Sequence, residues 1–269
     1  MVKIYTKTLN RLPNCQIGTN MPDRSPLFFL PIAALFLLAS CKESSIESYY
    51  YPLDELREGL VYEYRSTADT LDPPFYWYYR SHETDTATFL TGMYYDLNFT
   101  PFQFVREERV SNGMLLADYY LYENDSTGKQ VQIPVEIEGG NIFSFEPADP
   151  KKVLYSKVRF STPSDPDAVI SLIKNRQFRS DTTYTYGGKT YDALVFYVRE
   201  LIDVNDEGHV EQEFDGLEIY AKGLGLVYFR KDVSATFITE YELADRYSME
   251  ELEKKFKVKL EGKPGTGNK

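Results

Sequence analysis

The chain has 269 residues, with 41 acidic against 30 basic side chains and a net charge of -11. So acidic a chain is repelled by phosphate backbones, which excludes nucleic acid as a partner. Two histidines and two cysteines leave little material for histidine or thiolate metal sites, and no metal or cofactor is implied.

The first element is an uncharged apolar run of thirteen residues, Leu27 to Ala39, closing on Leu38-Ala39-Ser40-Cys41. Crossing a bilayer takes ~20 residues. The run instead has the length of a signal-peptide core that ends in small residues. Pro26 and Pro31 oppose the alternative, a buried core helix. Leu-Ala-Ser-Cys resembles the lipobox of bacterial lipoproteins. That resemblance implies cleavage before Cys41, palmitate and further acyl chains on Cys41, and a lasting anchor in the outer membrane, since more than one chain holds stably. Met21 gives a shorter approach to the apolar run than Met1 and is the expected start. Residues 1–40 are therefore read as a signal peptide.

Without those forty residues the balance is 26 basic against 40 acidic, a net charge of -14. Cys15 leaves with the leader and Cys41 carries lipid. No thiol or disulfide then remains in the domain, which suits an exported protein that does not rely on oxidative folding. Residues 41–57 read as the lipidated cysteine and a polar tether. Lys42-Glu43 is similar to the short charged signals that send some Bacteroidetes lipoproteins to the cell surface. Periplasmic and surface faces both stay open.

Residues 58–260 read as one β domain. Strands are expected at Leu60 to Ser66, at the aromatic run Phe75-Tyr76-Trp77-Tyr78-Tyr79, at Thr86 to Tyr95 and at Phe102 to Val110. Ser111-Asn112-Gly113 is a hairpin signal, with a return strand from Met114. Val131 to Ile137 alternates cleanly, and Pro134 within it marks an edge or a bulge. Ile142 to Phe145 and Val153 to Phe160 follow. Residues 161–175 break the pattern, and Ala168 to Ile173 reads as one or two helical turns. Phe178 to Tyr186, Gly187-Gly188 and Thr190 to Ile202 form the strongest hairpin. Leu217 to Ala221, Leu226 to Arg230 and Ala235 to Leu243 complete the set. Ser248-Met249-Glu250-Glu251 has capping-box spacing and opens a C-terminal helix, and residues 261–269 read as a disordered tail. Short turns imply antiparallel pairing. The fold class is mainly β: a strongly curved antiparallel sheet, half-barrel or barrel, with a short C-terminal helix and a β-sandwich as the alternative.

Little of this carries catalytic chemistry. His82 and His209 have no partner at ligand spacing. Asp203-Val204-Asn205-Asp206-Glu207-Gly208 resembles the start of a calcium loop, but the twelfth position is Phe214 where a bidentate glutamate is needed. Nothing selects two glycosidase carboxylates from forty, so a carbohydrate-active enzyme is the third choice. Asp69-Thr70-Leu71, Asp85-Thr86-Ala87, Asp125-Ser126-Thr127 and Asp181-Thr182-Thr183 resemble the O-glycosylation signal of exported Bacteroidetes proteins.

Gly188-Lys189-Thr190-Tyr191 followed by Tyr220-Ala221-Lys222-Gly223-Leu224-Gly225-Leu226-Val227 resembles the end of an uncharacterised family of exported proteins. The resemblance implies a half-barrel similar to periplasmic lipoprotein carriers that shelter acyl chains. Strands apolar on both sides need cover on both faces, and the short helix covers only part of the sheet. The expectation is a mainly apolar cavity of several hundred cubic ångströms, lined by Phe75, Tyr76, Trp77, Phe196, Tyr197 and Val198. The expected function is a non-enzymatic envelope lipoprotein that takes a lipid, glycan or envelope-protein partner on its curved sheet. The alternative is an accessory subunit without a small-molecule site.

Overall fold

The computed structural model describes residues 45–69, 71–206 and 208–260. The leader, Cys41, Lys42-Glu43, Thr70, Glu207 and the tail lie outside them. Thirteen strands follow in chain order: β1 (Leu60–Ser66), β2 (Phe75–Glu83), β3 (Thr88–Tyr95), β4 (Pro101–Val110), β5 (Gly113–Asn124), β6 (Gln130–Pro134), β7 (Glu136–Ser144), β8 (Val153–Thr162), β9 (Asp165–Tyr186), β10 (Lys189–Asp206), β11 (Gly208–Ala221), β12 (Gly225–Asp232) and β13 (Ile238–Tyr247). A single helix, α1 (Met249–Phe256), ends the described domain.

Every pairing is antiparallel, and the order β4-β3-β2-β1-β13-β12-β11-β10-β9-β8-β7-β5 closes on itself through β4 and β5. The result is a twelve-stranded barrel, which leaves no free edge around the ring. β6 and β7 together run along β5 as one bent strand. Gln130–Pro134 pair with Tyr120–Asn124, Asn141–Ser144 pair with Gly113–Leu115, and Glu136–Gly140 turn away to pair with β8. Pro134 stands at the bend, where the ladder needs no further donor.

Residues 161–175 are not helical. After a turn at Pro163-Ser164, β9 begins at Asp165 and runs for 22 residues. Val169 to Ile173 pair with Leu201 to Asn205 of β10. Val and Ile in that stretch favour a pleated ladder, and the long partner strand decides the outcome.

Alternation sorts each strand into an inner and an outer face. On β2, Phe75, Trp77 and Tyr79 join the interior cluster. Tyr76 and Tyr78 face outward, in a second cluster with Val61, Met93, Tyr95, Tyr247 and Leu252 of α1. The helix is fixed there by its capping box: Ser248 Oγ accepts from the Glu251 amide (3.2 Å) and Glu251 Oε2 accepts from the Ser248 amide (2.8 Å). Beneath α1, the buried Glu63 accepts from Tyr247 (2.7 Å) and from Lys255 (2.8 Å). The outer wall elsewhere carries ion pairs, such as Arg159–Glu138 (2.9 Å) and Arg199–Asp215 (3.4 Å). Charge at such positions is costly against lipid, so this wall suits water. Among the described residues no helix is long and apolar enough to cross a membrane.

Candidate functional site

Residues 45–57 do not form a free tether. They make a strap, with single 3-10 turns at Glu47–Tyr49 and Glu55–Arg57, that enters one end of the barrel. Ile46, Tyr50, Tyr51 and Leu56 are all buried in the interior cluster. Backbone bonds seat it: the Ile46 amide donates to the Phe145 carbonyl (3.2 Å) and the Gly223 amide to the Ser48 carbonyl (2.8 Å). Inside, Tyr51 donates to the Tyr79 hydroxyl (2.9 Å), and Tyr50 donates to Glu107 on β4. The turn Lys222-Gly223-Leu224 and Gly225 explain the glycines of the C-terminal motif. Both glycines have positive φ, +74° and +85°, a conformation that costs other residues. A Cβ on Gly225 would also collide with the ring of Tyr51. The motif clamps the strap.

The strands that leave the strap end turn back at the opposite end. Between the aromatic plug and those far turns lies a cavity of about 520 Å³. Its apolar wall includes Phe75, Trp77, Val158, Leu172, Val198 and Phe229. Trp77 lies on Tyr79 with ring centroids 5.5 Å apart and planes 6° from parallel.

The same cavity carries a belt of charge that an apolar reading does not anticipate. Lys174 and Arg176 lie two apart on β9 and therefore on one face. Lys174 Nζ bridges Glu200 of β10 and Glu218 of β11, each at 2.8 Å. Arg176 Nε donates to Glu218 at 2.6 Å, and Lys231 Nζ of β12 reaches Glu200 at 2.7 Å. Burial disfavours the charged form of Glu218, yet the Arg176 and Lys174 charges outweigh it and hold the carboxyl down to about 2. Lys174, then Lys231, keep Glu200 far below the usual carboxylate range. Glu107, on the opposite wall, behaves otherwise. Burial pushes it up to about 7, against the pull of the Tyr50 hydroxyl and of Arg176. Arg176 Nη1 is shut away from solvent and has no hydrogen-bond partner.

Of the six residues read from the sequence as cavity lining, Phe75, Trp77 and Val198 line this cavity. Phe196 is 3% exposed and packs in the plug against Phe143, Phe178 and Tyr220. Tyr76 lies under α1 against Phe99 and Phe256. Tyr197 is on the outer wall, donating to Asp215. Sequence reasoning missed the strap tyrosines and the charged belt. The available signal was Lys174 and Arg176 at i and i+2 in a strand otherwise apolar on that face. His82 stacks on Phe89 (5.2 Å) and His209 contacts Asp203 (3.2 Å). Asp203 to Asp206 stand in a ladder, with Asn205 opposite His209, so successive side chains among them alternate between faces and do not encircle a cation. No group of three or more candidate metal ligands occurs among the described residues.

Two solved structures are similar to this chain. One is a protein assigned as a lipoprotein from Parabacteroides distasonis, with a TM-score of 0.47, 12% identity, and coverage of 72% of this chain and 94% of its own. The other is assigned as an exported protein with a YmcC-like fold from Bacteroides fragilis, with a TM-score of 0.45, 13% identity, and coverage of 74% and 99%. Both come from Bacteroidetes, the group whose signals Lys42-Glu43 and the Asp-Ser/Thr segments resemble. No family model and no curated protein matches the chain.

Proposed function

We propose that this protein is a lipid-anchored component of the bacterial cell envelope that holds one small ligand inside its barrel and performs no reaction on it. The observation that carries the reading is the cavity of about 520 Å³, a size typical of small-molecule sites, stoppered at one end by the chain's own strap. The apolar wall supports an apolar tail as the bound part. The lipobox-like Leu38-Ala39-Ser40-Cys41 supports anchoring through Cys41 in the outer membrane, on either face.

Trp77 lies in the cavity wall and is the only tryptophan, so its emission reports occupancy. Titrating the soluble domain with a panel of fatty acids, alcohols and phospholipids is expected to shift that emission saturably for at least one member. Trp77→Phe should keep the fold and remove the signal. Absence of saturable binding across the panel, by emission and by calorimetry, would overturn the reading.

One observation favours the interaction-subunit alternative. Six of the nine large exposed apolar side chains among the described residues, Leu71, Leu97, Phe102, Val210, Val233 and Phe237, lie in or beside turns at the end of the barrel opposite the strap, whereas Leu115, Val153 and Tyr155 lie towards the strap end. Apolar groups gathered at one rim suit contact with another surface. If the lipid panel fails, that rim is the place to test.

A further inference from the structure

We infer that the cavity is built for an amphiphile with an anionic head, whose head group sits against Arg176 and Lys174 while its tail lies along Trp77 and Val198. The inference rests on the ligand-holding reading above and deepens it. Three observations carry it.

First, Arg176 is a buried guanidinium with an unused donor. It gives Nε to Glu218, while Nη1 has no partner and no solvent. Leaving such a group unpaired is costly, more so when charged, and an acceptor entering the cavity that Arg176 lines would satisfy it once the guanidinium turns to present Nη1. Second, the cations hold spare donors. An ammonium carries three protons. Lys174 spends two of them on Glu200 and Glu218, and Lys231 spends one on Glu200. Third, the charge count favours an anion. Lys174, Arg176 and Lys231 face Glu200 and Glu218, both firmly ionised. The sixth group, Glu107, is half protonated near neutrality because burial opposes its charge. Arg230 and Asp215 also line the cavity, but each is neutralised by a neighbour, Arg230 by Asp232 (2.6 Å) and Asp215 by Arg199 (3.4 Å), so the belt's three cations, two full anions and one partial anion leave room for one more negative charge. The placement is amphiphilic too: apolar side chains stand level with the belt, Val198 opposite Arg176 and Phe229 opposite Glu218, and Leu172 lies one step outward of Lys174.

The test is a head-group series on one tail, read by Trp77 emission and by calorimetry on the soluble domain. Dodecanoate, dodecyl phosphate, dodecanol and dodecyltrimethylammonium serve as probes. Dodecanoate or dodecyl phosphate should bind at least tenfold tighter than dodecanol, with the cation weakest. Which of the two anions leads separates a carboxylate from a phosphate ligand. An affinity spread below about threefold, or a preference for the cation, would overturn the inference and leave the ligand-holding reading standing. No binding by any of the four would overturn both. The double variant Arg176→Gln/Glu218→Gln removes both partners of the pair together, which is milder than stranding one. It should lose the preference for the anion while its circular dichroism and melting show an intact barrel. A double variant that keeps the tenfold preference would remove Arg176 from the site.

Discussion

Between the unfolded chain, where a glutamate titrates at its ordinary 4.5, and the barrel, where burial holds it at about 7, Glu107 binds its proton more tightly in the folded state. The folded protein therefore carries more protons than the unfolded chain from pH 4.5 to 7, and stability falls across that window as pH rises. A separation of this size corresponds to about 3 kcal/mol. Glu107→Gln keeps an acceptor for Tyr50 and cannot ionise. It should melt close to the native protein near pH 4.5 and well above it at pH 8.5. Parallel melting profiles for the two proteins would contradict the buried carboxylate. Glu218 has the opposite sign: its contribution is present above pH 4.5 and lost as pH falls through about 2. These behaviours were not legible in the sequence, because forty carboxylates offer no local mark of burial. The cavity wall was half legible. Phe75-Tyr76-Trp77 and Phe196-Tyr197-Val198 are consecutive triplets, and a strand sends neighbours to opposite faces. Only one parity of each triplet can face inward, and depth along the barrel then separates Phe196 in the plug from Val198 in the cavity.

The strap depends on a turn that only glycine suits. Gly225 and Gly188 both sit at positive φ, +85° and +77°, but only Gly225 has a neighbour where a Cβ would go, the Tyr51 ring. Alanine at either site meets the same backbone penalty, about 1–2 kcal/mol. Gly225→Ala must in addition displace Tyr51. It should destabilise by at least about 1 kcal/mol more than Gly188→Ala, of the order seen for overpacked cores, and hydrogen exchange at the strap amides of 45–57 should rise in that variant alone. Equal effects at the two glycines would mean that the strap does not depend on this clamp. Strands were the most legible elements, with β1 read end to end at Leu60 to Ser66, since period-two alternation and Gly-rich turns are local signals. The capping box at Ser248 was legible for the same reason. The strap was not. Tyr49-Tyr50-Tyr51 has no periodicity, and the burial of Tyr50 and Tyr51 comes from partners that only the closed barrel assembles: Glu107 on β4, Phe143 on β7 and Gly225 on β12, with Tyr62 and Tyr79 of β1 and β2. Ala168 to Ile173 were misread as helical turns because a short apolar run fits helix and strand alike, and only the pairing with β10 settles it.

At the scale of the molecule, closure was the part of the architecture left open between half-barrel and barrel. It depends on the long-range pairing of the first strand with the last, β1 with β13, which no local signal marks, and on the bend at Pro134 that lets the β6–β7 segment pair with both β5 and β8. Anchoring is tested on the whole chain. Cys41→Ala should leave the protein unprocessed and unlabelled by a clickable palmitate analogue, while the barrel keeps its β-dominated circular dichroism. Persistent labelling of that variant would place the lipid elsewhere.

The seating of the strap also sets which way the barrel points. Ser45 already donates to the Phe145 carbonyl at 2.6 Å, and only three residues, a span of four steps along the chain, lie between it and Cys41. Four fully extended residues reach about 14 Å. With acyl chains on Cys41, the stoppered end is leashed close to the bilayer, and the opposite rim, with its apolar turns, looks away from it. On the proposed reading, a ligand would enter and leave the cavity on the far side. Exchange with the anchoring leaflet itself would need the barrel to capsize, whereas a donor or acceptor standing across the gap could dock on it upright.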